Sequence, residues 1–368
     1  MGHPVLTARQ INRTLLARQF LLQPPQPAAI PDVVDALAGL QAQQARPPFV
    51  GLWTRIANFR REDLHDLLAA RTVVRATAMR GTLHLLTMRQ YPAFRGALQP
   101  ALSSGMQSIL KDRAATFDLA RLTSEASRII ARKPCTFAEL RPQLTAAFPD
   151  LSDERALGFA VRMHLPLVTV PDAGNLWAFT GDSPFELAPR AGKPKVETDI
   201  VLAYLRAFGP ATIADFQSWS GLKSGKVLFA AHPDLTRYRD EKKRELFDVP
   251  GAAPMLDPDI EVAPRFVAAF DNLILSHVDR SRIIADEYRP RVVTKNLQVL
   301  PTFLVDGFVA GTWQTAIVKK QAVLTATPFA KLAKKVQKQL AHEAEGLVRF
   351  MEPEAAGYQV DIKLEPAE

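Results

Sequence analysis

The chain has 368 residues, of which 47% are hydrophobic and 23% are charged, a composition typical of a globular protein with room for more than one core. The formal charge of +8 favours a polyanionic partner. The single cysteine, Cys135, excludes a disulfide framework, a cysteine-rich zinc site and an iron–sulfur cluster within one chain.

The first ten residues contain no apolar signal region, and no segment approaches the length needed to span a bilayer. We therefore expect a cytoplasmic protein. Cys135 is expected to be a buried apolar residue. The seven histidines form no metal-binding motif.

Residues 1–100 are predicted to form a first unit of helices closed by a hairpin. Helices are predicted over residues 7–20, with Thr7 as the cap, and over residues 31–38, 48–57 and 61–69. Strands are predicted at 73–77 and 81–86, with a turn near Met79 and Arg80. Helices followed by a hairpin are the layout of a winged helix.

The same order of elements recurs twice. In residues 101–192, the predicted elements are helices over 121–132, 136–147 (capped by Thr136) and 152–164 (capped by Ser152), and a hairpin from 167–170 and 176–179. In residues 193–254, they are helices over 198–208, 212–219 (capped by Thr212, ended by Gly221) and 222–231, and a wing over 238–247. We predict three tandem winged-helix units that repeat in pattern and not in sequence.

Residues 255–368 change to a β-rich texture. Strands are predicted near 266–270, 299–305, 308–313, 322–325 and 358–364, with a helix over 328–345. The whole chain is thus predicted to have an α+β fold, in which a sheet or small barrel crossed by one helix follows the three winged-helix units.

Two glutamines stand two residues apart in the link between the second and third predicted helices. Gly39 is a suitable stop for the helix before the link, and Pro47 and Pro48 are a suitable start for the helix after it. In an extended link, Gln41 and Gln43 would point the same way. Two neutral amides that face one spot can hold one water molecule or one base edge. The alternative is a polar loop that satisfies backbone groups.

Five segments resemble, in the same order, the AlkZ-like family of bacterial winged-helix DNA glycosylases: 39–43, 79–85, 269–275, 279–282 and 305–313. The resemblance covers nearly the whole chain. It implies three winged helices and a β-rich part around a concave basic channel, and excision of bulky or cationic alkylated purines, including crosslinked ones, from double-stranded DNA. It also implies that Gln41 and Gln43 are the catalytic pair, with Ala42 between them, whereas a sister branch has aspartate at the second position.

The implied chemistry is physically reasonable for neutral amides. A glutamine takes up no proton near neutral pH and is not a strong base. A purine alkylated at N3 or N7 already carries positive charge and leaves as a neutral base, so a water that is well placed below the anomeric carbon can suffice. We therefore expect a monofunctional, monomeric glycosylase that needs no metal, cofactor or Schiff-base lysine and does not cleave the strand.

The resemblance also implies that residues 280–295 form a hairpin that faces DNA, where arginines suit phosphate contact and groove insertion. The predicted DNA contacts are Arg80, Arg280, Arg282, Arg289, Arg291 and Lys295. The alternative for this segment is a solvated loop with ion pairs to Asp279, Asp286 and Glu287. Arg80 can hold either a phosphate or an internal carboxylate.

Three further residues are candidates for a structural or catalytic role near the Gln-Ala-Gln segment. His84 is expected to be a structural histidine. Asp271 and Asp279 are candidate acid–base carboxylates, although Asp271 can instead cap or orient a neighbour. Two other functions stay open: a winged-helix transcriptional regulator that binds DNA without catalysis, and a protein that uses winged helices as interaction modules.

Overall fold

The structure is a computed structural model that describes residues 3–23, 25–116, 118–149, 153–189, 199–253, 255–296 and 298–364. Its helices are α1 (Ala8–Arg18), α2 (Ile30–Ala36), α3 (Arg46–Trp53), α4 (Arg61–Ala69), α5 (Tyr91–Leu110), α6 (Leu119–Arg132), α7 (Phe137–Ala147), α8 (Glu154–His164), α9 (Ile200–Phe208), α10 (Ile213–Ser220), α11 (Gly225–Ala230), α12 (Asn272–Leu275), α13 (Arg289–Val292) and α14 (Lys334–Met351). Its strands are β1 (Val5–Leu6), β2 (Leu40–Gln41), β3 (Val73–Thr77), β4 (Leu83–Thr87), β5 (Leu167–Thr169), β6 (Phe185–Leu187), β7 (Thr236–Asp240), β8 (Glu245–Asp248), β9 (Arg265–Val267), β10 (Thr302–Val305), β11 (Phe308–Val318), β12 (Gln321–Pro328) and β13 (Gly357–Ile362). The predicted α+β class is confirmed.

Helix caps read from the sequence hold in the structure. Thr7, Thr136 and Thr212 each cap the helix that follows and take part in a capping box, in which side chain and backbone bond each other across the first turn. Helix α8 is capped by Asp153. The cap predicted for α8, Ser152, lies outside the described residues.

The first two predicted hairpins belong to one five-stranded sheet with the order β2-β4-β3-β5-β6. Strand β3 pairs with β4 on one edge and with β5 on the other. The second hairpin differs from the prediction, because β5 pairs with β6 whereas residues 176–179 form turns and irregular backbone. Trp177 in this stretch packs edge-on against Phe49 and Phe350, so burial in the core overrides its strand-like pattern.

The segment predicted as a wing, 238–247, lies within the antiparallel pair β7 and β8. Strand β1, near the amino terminus, adds in parallel to β7 and completes a three-stranded sheet with the order β1-β7-β8. The start of the chain is therefore attached to the third predicted unit rather than to the first alone.

The carboxyl-terminal part is an open sheet, which corrects the prediction of a barrel-like part. The order of its five strands is β13-β12-β11-β10-β9. Within the described ranges, the edge strands β9 and β13 do not pair with each other, as closure of a barrel would require. Helix α14 makes the crossover that a parallel pair needs, since β12 and β13 run parallel. Its buried residues Leu340 and Leu347 pack in one cluster with the sheet.

One buried cluster joins all four predicted units. It includes Leu15 of α1, Val168 of β5, Tyr204 of α9 and Leu304 of β10. Residue 101 lies inside α5, so this helix crosses the predicted boundary. The division into 1–100, 101–192, 193–254 and 255–368 stays a prediction. In the part of the chain that the structure describes, no helix has the length and apolar character that a bilayer crossing requires.

Candidate active site

The Gln-Ala-Gln segment (residues 41–43) starts in β2 and leaves the sheet at its edge. Gly39 turns the chain from α2 into β2 with φ of 89°, and a Cβ there would lie 2.7 Å from Leu86 Cδ2. Helix α3 then begins with prolines in its first turn. The predicted non-helical link between two helices is therefore confirmed.

Gln41 is largely buried and its side chain is hydrogen-bonded to Arg80. It pairs across the sheet with His84, and residues directly opposite each other on neighbouring strands share one face. Only 8% of Gln41 is exposed, and its Oε1 accepts a hydrogen bond from Arg80 Nη2 at 2.7 Å. Because a guanidinium can only donate, this bond fixes which end of the Gln41 amide faces Arg80.

Gln43 lies at the surface and is held by the backbone of β4. The Ala42 N–H donates to the Leu83 carbonyl at 2.7 Å, and Gln43 Oε1 accepts from the Leu83 N–H at 3.3 Å. The Gln43 side chain thus replaces a backbone acceptor where the chain leaves the sheet. The alternative that Gln43 is a loop residue satisfying a backbone group therefore applies to its Oε1 atom. The bond from the Leu83 N–H uses only one of the two lone pairs of Oε1.

Arg75 reaches the segment from the other face of the sheet, since it precedes a residue paired with His84. Its Nε donates to the Ala42 carbonyl at 2.8 Å and its Nη2 to the Gln43 carbonyl at 3.3 Å. The guanidinium lies 4.7 Å from the centre of the Phe179 ring. Burial and the charge of a neighbouring arginine lower the pKa of Arg75 to about 10. The backbone of the segment is therefore anchored independently of its side chains.

Arg80 sits in the tight turn between β3 and β4 with φ of 56°. Besides Gln41, it donates to the Trp219 carbonyl at 2.8 Å and to Asn272 Oδ1 at 3.3 Å. Burial and the charge of Arg280 lower the pKa of Arg80 to about 10. The two partners expected from the sequence were a phosphate and an internal carboxylate, and the contacts found here are neutral oxygens.

His84 is fully buried beside Gln41 and Arg80. Burial and the charge of Arg80 lower the pKa of His84 to about 3, so the ring is neutral near pH 7. Its Nδ1 bonds the Thr82 carbonyl at 3.1 Å. These contacts give His84 the structural environment expected from the sequence.

Asp271 orients its neighbours. Its two oxygens accept from Arg55 at 2.9 and 3.0 Å, and Oδ1 also accepts from the Leu273 N–H, which caps α12. Arg55, Asp271, Asn272 and Gln41 line a cavity of about 10 Å³, close to the volume that one water needs. Asp271 was considered as an acid–base group or as a residue that caps or orients a neighbour. Its contacts are those of a helix cap and a buried ion-pair partner.

Asp279 is surrounded by cations. Lys242 Nζ and Arg244 Nη1 each lie 2.7 Å from its Oδ2, and the Ser281 N–H donates to Oδ1. Partial burial favours the protonated acid, but the bonds from Lys242 and Ser281 and the charge of Arg244 outweigh it and hold the pKa of Asp279 well below its usual range. A carboxylate that stays ionised cannot serve as a general acid near neutral pH.

Residues 280–295 do not form the hairpin that the resemblance implied. They form turns, a short 3₁₀ helix at Asp286–Tyr288 and helix α13, followed by an isolated bridge between Val293 and Val299. A proline in the first turn of α13 favours this local helix over a strand.

The basic residues of this segment occupy different environments. Arg282 is buried, where its Nη1 donates to the Pro210 carbonyl at 2.9 Å, so it does not present its guanidinium to a ligand in this conformation. Arg289 and Lys295 are exposed. Arg291 stacks over the Phe329 ring, with 4.0 Å between its guanidinium carbon and the ring centre.

Arg280 has unused donors. Its Nε and Nη1 atoms are buried and have no hydrogen-bond partner among the described residues. Burial and the charge of Arg289 lower the pKa of Arg280. The charge of Arg280 in turn lowers the pKa of Arg80, so the two guanidinium groups lie within range of each other's charge.

Sequence reasoning did not single out Arg75, Arg55 or Asn272. Arg75 carried a usable signal, because a lone arginine inside the apolar strand Val73–Thr77 must either reach the surface or bond buried acceptors. Arg55 and Asn272 carried no such signal, since their partners are far away in the chain.

Comparisons with known proteins identify the family and the fold of this chain. The family model described as DNA glycosylase AlkZ-like matches residues 34–350. The chain is 28% identical, over 361 residues, to an interstrand DNA cross-link repair glycosylase of Streptomyces sahachiroi, and the match covers 91% of this chain and 95% of that protein. The solved structure of the Streptomyces sahachiroi DNA glycosylase AlkZ has the same fold, with a TM-score of 0.78 at 24% identity over 98% of this chain and 100% of that one. Because the family model covers most of its length, the chain belongs to the AlkZ-like family of DNA glycosylases, which hydrolyse N-glycosyl bonds.

Proposed function

We propose that this DNA glycosylase excises cationic alkylated purines by means of a water molecule held between Gln41 and Gln43. The observation that supports this most directly is the anchoring of both amide oxygens by groups that can only donate, Arg80 for Gln41 and the Leu83 N–H for Gln43. Each oxygen keeps a second lone pair. A water that donates one proton to each oxygen would turn its own lone pair toward the anomeric carbon.

The electron balance of this step needs no strong base. The bond between C1′ and the purine nitrogen breaks, and its electron pair neutralises the positive charge of the alkylated base. The water oxygen forms the new bond to C1′, and its surplus proton leaves to solvent. Positioning of the reactants is then the main contribution, which in well-oriented systems supplies about 7–11 kcal/mol. A neutral amide forms no Schiff base, so excision should leave the strand intact.

We propose that four cations contact the DNA backbone: Arg280, Arg289, Arg291 and Lys295. The Streptomyces relative is named for cross-link repair, and we extend that substrate class, bulky adducts joined to a second strand, to this chain. Three winged-helix units around a basic channel are part of the same proposal. Family membership favours the enzyme over a regulator or an interaction module.

The experiment compares Gln43→Ala with Gln44→Ala. Both side chains are exposed neighbours of the same type, but only Gln43 is anchored to the sheet. With DNA that carries N7-methylguanine or a crosslink, we expect Gln43→Ala to slow base release in single turnovers by about 100-fold, the usual cost of losing one transition-state contact. Gln44→Ala should react like the parent protein. Equal release by the two variants would remove the mechanism, and retention of undamaged DNA without release would favour a regulator.

A further inference from the structure

Arg80 connects the Gln-Ala-Gln segment to two distant parts of the chain. Its Nη1 donates to the carbonyl of Trp219 in α10, and its Nη2 donates to Gln41 Oε1 and to Asn272 Oδ1. Asn272 is itself fixed, because its Nδ2 donates to the Gly39 carbonyl just before β2. A single guanidinium thus ties β2 to the third predicted unit and to the start of α12.

These contacts use three of the five N–H donors of the Arg80 guanidinium. All three acceptors are neutral oxygens, and they lie on both arms of the guanidinium fork. The backbone of Arg80 has φ of 56°, a conformation that costs energy for a residue with a side chain and that the surrounding contacts maintain. Because both hydrogens of Nη2 are used, a phosphate contact at this nitrogen would displace Gln41 or Asn272.

We infer that Arg80 is a positioning residue that fixes the Gln41 amide for catalysis, rather than a ligand of a DNA phosphate. The inference rests on the proposed role of Gln41. A free glutamine amide can rotate by half a turn and exchange its oxygen for its NH₂ group. Next to Arg80 that exchange would place two donors against each other, so the oxygen keeps one direction. Gln43 has its own anchor, and loss of Arg80 should therefore act through Gln41 alone.

Lysine cannot replace arginine in this role. The planar fork of Arg80 serves the Trp219 carbonyl and Gln41 at the same time, whereas one ammonium group is a compact donor on a flexible stem. Arg80→Lys keeps the charge that a phosphate contact would need and loses the geometry that positioning needs. This variant therefore separates the two roles.

The test is a double-mutant cycle that uses the full chain and DNA carrying N7-methylguanine. Single-turnover excision rates and equilibrium DNA affinities are measured for the parent protein, Arg80→Lys, Gln41→Ala and the double variant. We expect Arg80→Lys to slow excision by about 10- to 100-fold, as misplacement of a catalytic group does. The affinity for DNA should not change. In the Gln41→Ala background, Arg80→Lys should slow excision no further.

Salt dependence supplies a second readout, which loss of a phosphate contact would change and loss of a positioning residue would not. Loss of one phosphate contact makes the negative slope of log affinity against log salt less steep by about 0.9. For an Arg80→Gln variant we expect the parent slope, whereas Arg289→Ala, an exposed arginine, serves as the comparison. A reduced slope in Arg80→Gln, or an added rate loss in the double variant, would overturn the inference. If Gln41→Ala alone has no effect, the proposed mechanism fails first, which is a distinguishable result.

If neither Arg80 variant folds, as judged by its unfolding midpoint, Asn272→Ala tests the same network. This change removes the Oδ1 acceptor of Arg80 and the bond to the Gly39 carbonyl. We expect a smaller loss of excision rate that again disappears in the Gln41→Ala background. A loss of equal size in both backgrounds would contradict a role through Gln41.

Discussion

Arg75 provides the most direct test of whether the backbone of the Gln-Ala-Gln segment must be rigid. Its guanidinium donates to the carbonyls of Ala42 and Gln43 from the face of the sheet opposite Gln41, and it stacks on Phe179. Arg75→Met keeps a long apolar stem and removes both donors. It touches neither of the glutamine side chains.

Opposing contributions determine how much Arg75→Met changes the free energy of unfolding. Two hydrogen bonds from a charged donor are worth about 3–6 kcal/mol together, and the ring contact adds about 1 kcal/mol. Against this, burial lowers the pKa of Arg75 to about 10, a shift that corresponds to about 3 kcal/mol that the substitution recovers. We expect a net loss of about 2 kcal/mol in the free energy of unfolding, which lowers the melting temperature of a 368-residue chain by about 3 °C.

The assay pairs unfolding with excision. Arg95→Met is the matched control, because Arg95 is also buried and donates to the backbone carbonyl of Met163 at 2.8 Å, away from the Gln-Ala-Gln segment. We expect similar losses of stability in the two variants, and a fall of about 10-fold or more in single-turnover excision for Arg75→Met alone. Parent-like excision by Arg75→Met at a temperature where it is folded would refute the need for this anchor.

Two further predictions concern charge. His84 has a pKa of about 3 in the folded protein, below its usual value, so the stability it contributes is complete above about pH 6.5 and is lost as the pH falls toward 3. From pH 6.5 to 5 this loss is about 2 kcal/mol of unfolding free energy. Denaturant titrations should show that the stability of His84→Leu depends less steeply on pH than that of the parent protein. An equally steep dependence in both proteins would contradict the burial argument. Arg282→Met should lower the free energy of unfolding by about 3 kcal/mol, because it leaves Asp215 without its buried cation. Arg289→Ala should leave the free energy of unfolding unchanged and make DNA affinity less dependent on salt. The opposite pattern would mean that Arg282 becomes exposed when DNA binds.

Local signals predicted much of the secondary structure. The capping threonines start their helices at the predicted places, and Gly221, with φ of 84°, ends α10. Helix α5 was not predicted, because Pro100 and two glycines weaken its local signal. Its buried residues, which include Phe94 and Leu98, pack in a core with distant elements, so burial decides its structure.

The sequence likewise predicted one part of the candidate site, whereas the other part depends on the tertiary structure. Gln41 and Gln43 stand out in the sequence because a glycine and a pair of prolines isolate them between two helices. The direction of their amides depends on Arg80, on the Leu83 N–H and on the contacts of Asn272, which come from other parts of the chain. No periodicity or spacing in the sequence encodes those partners.

The arginines make the same point about charge. Composition alone establishes that the chain is basic, and six cations were predicted to contact DNA. The tertiary structure decides which of them are available, since it buries Arg282, engages Arg80 internally and leaves Arg289 exposed. Local sequence signals thus determined most of the helices and the position of the glutamine pair. Burial and long-range hydrogen bonds, which exist only once distant segments meet, decided the role available to each charged side chain.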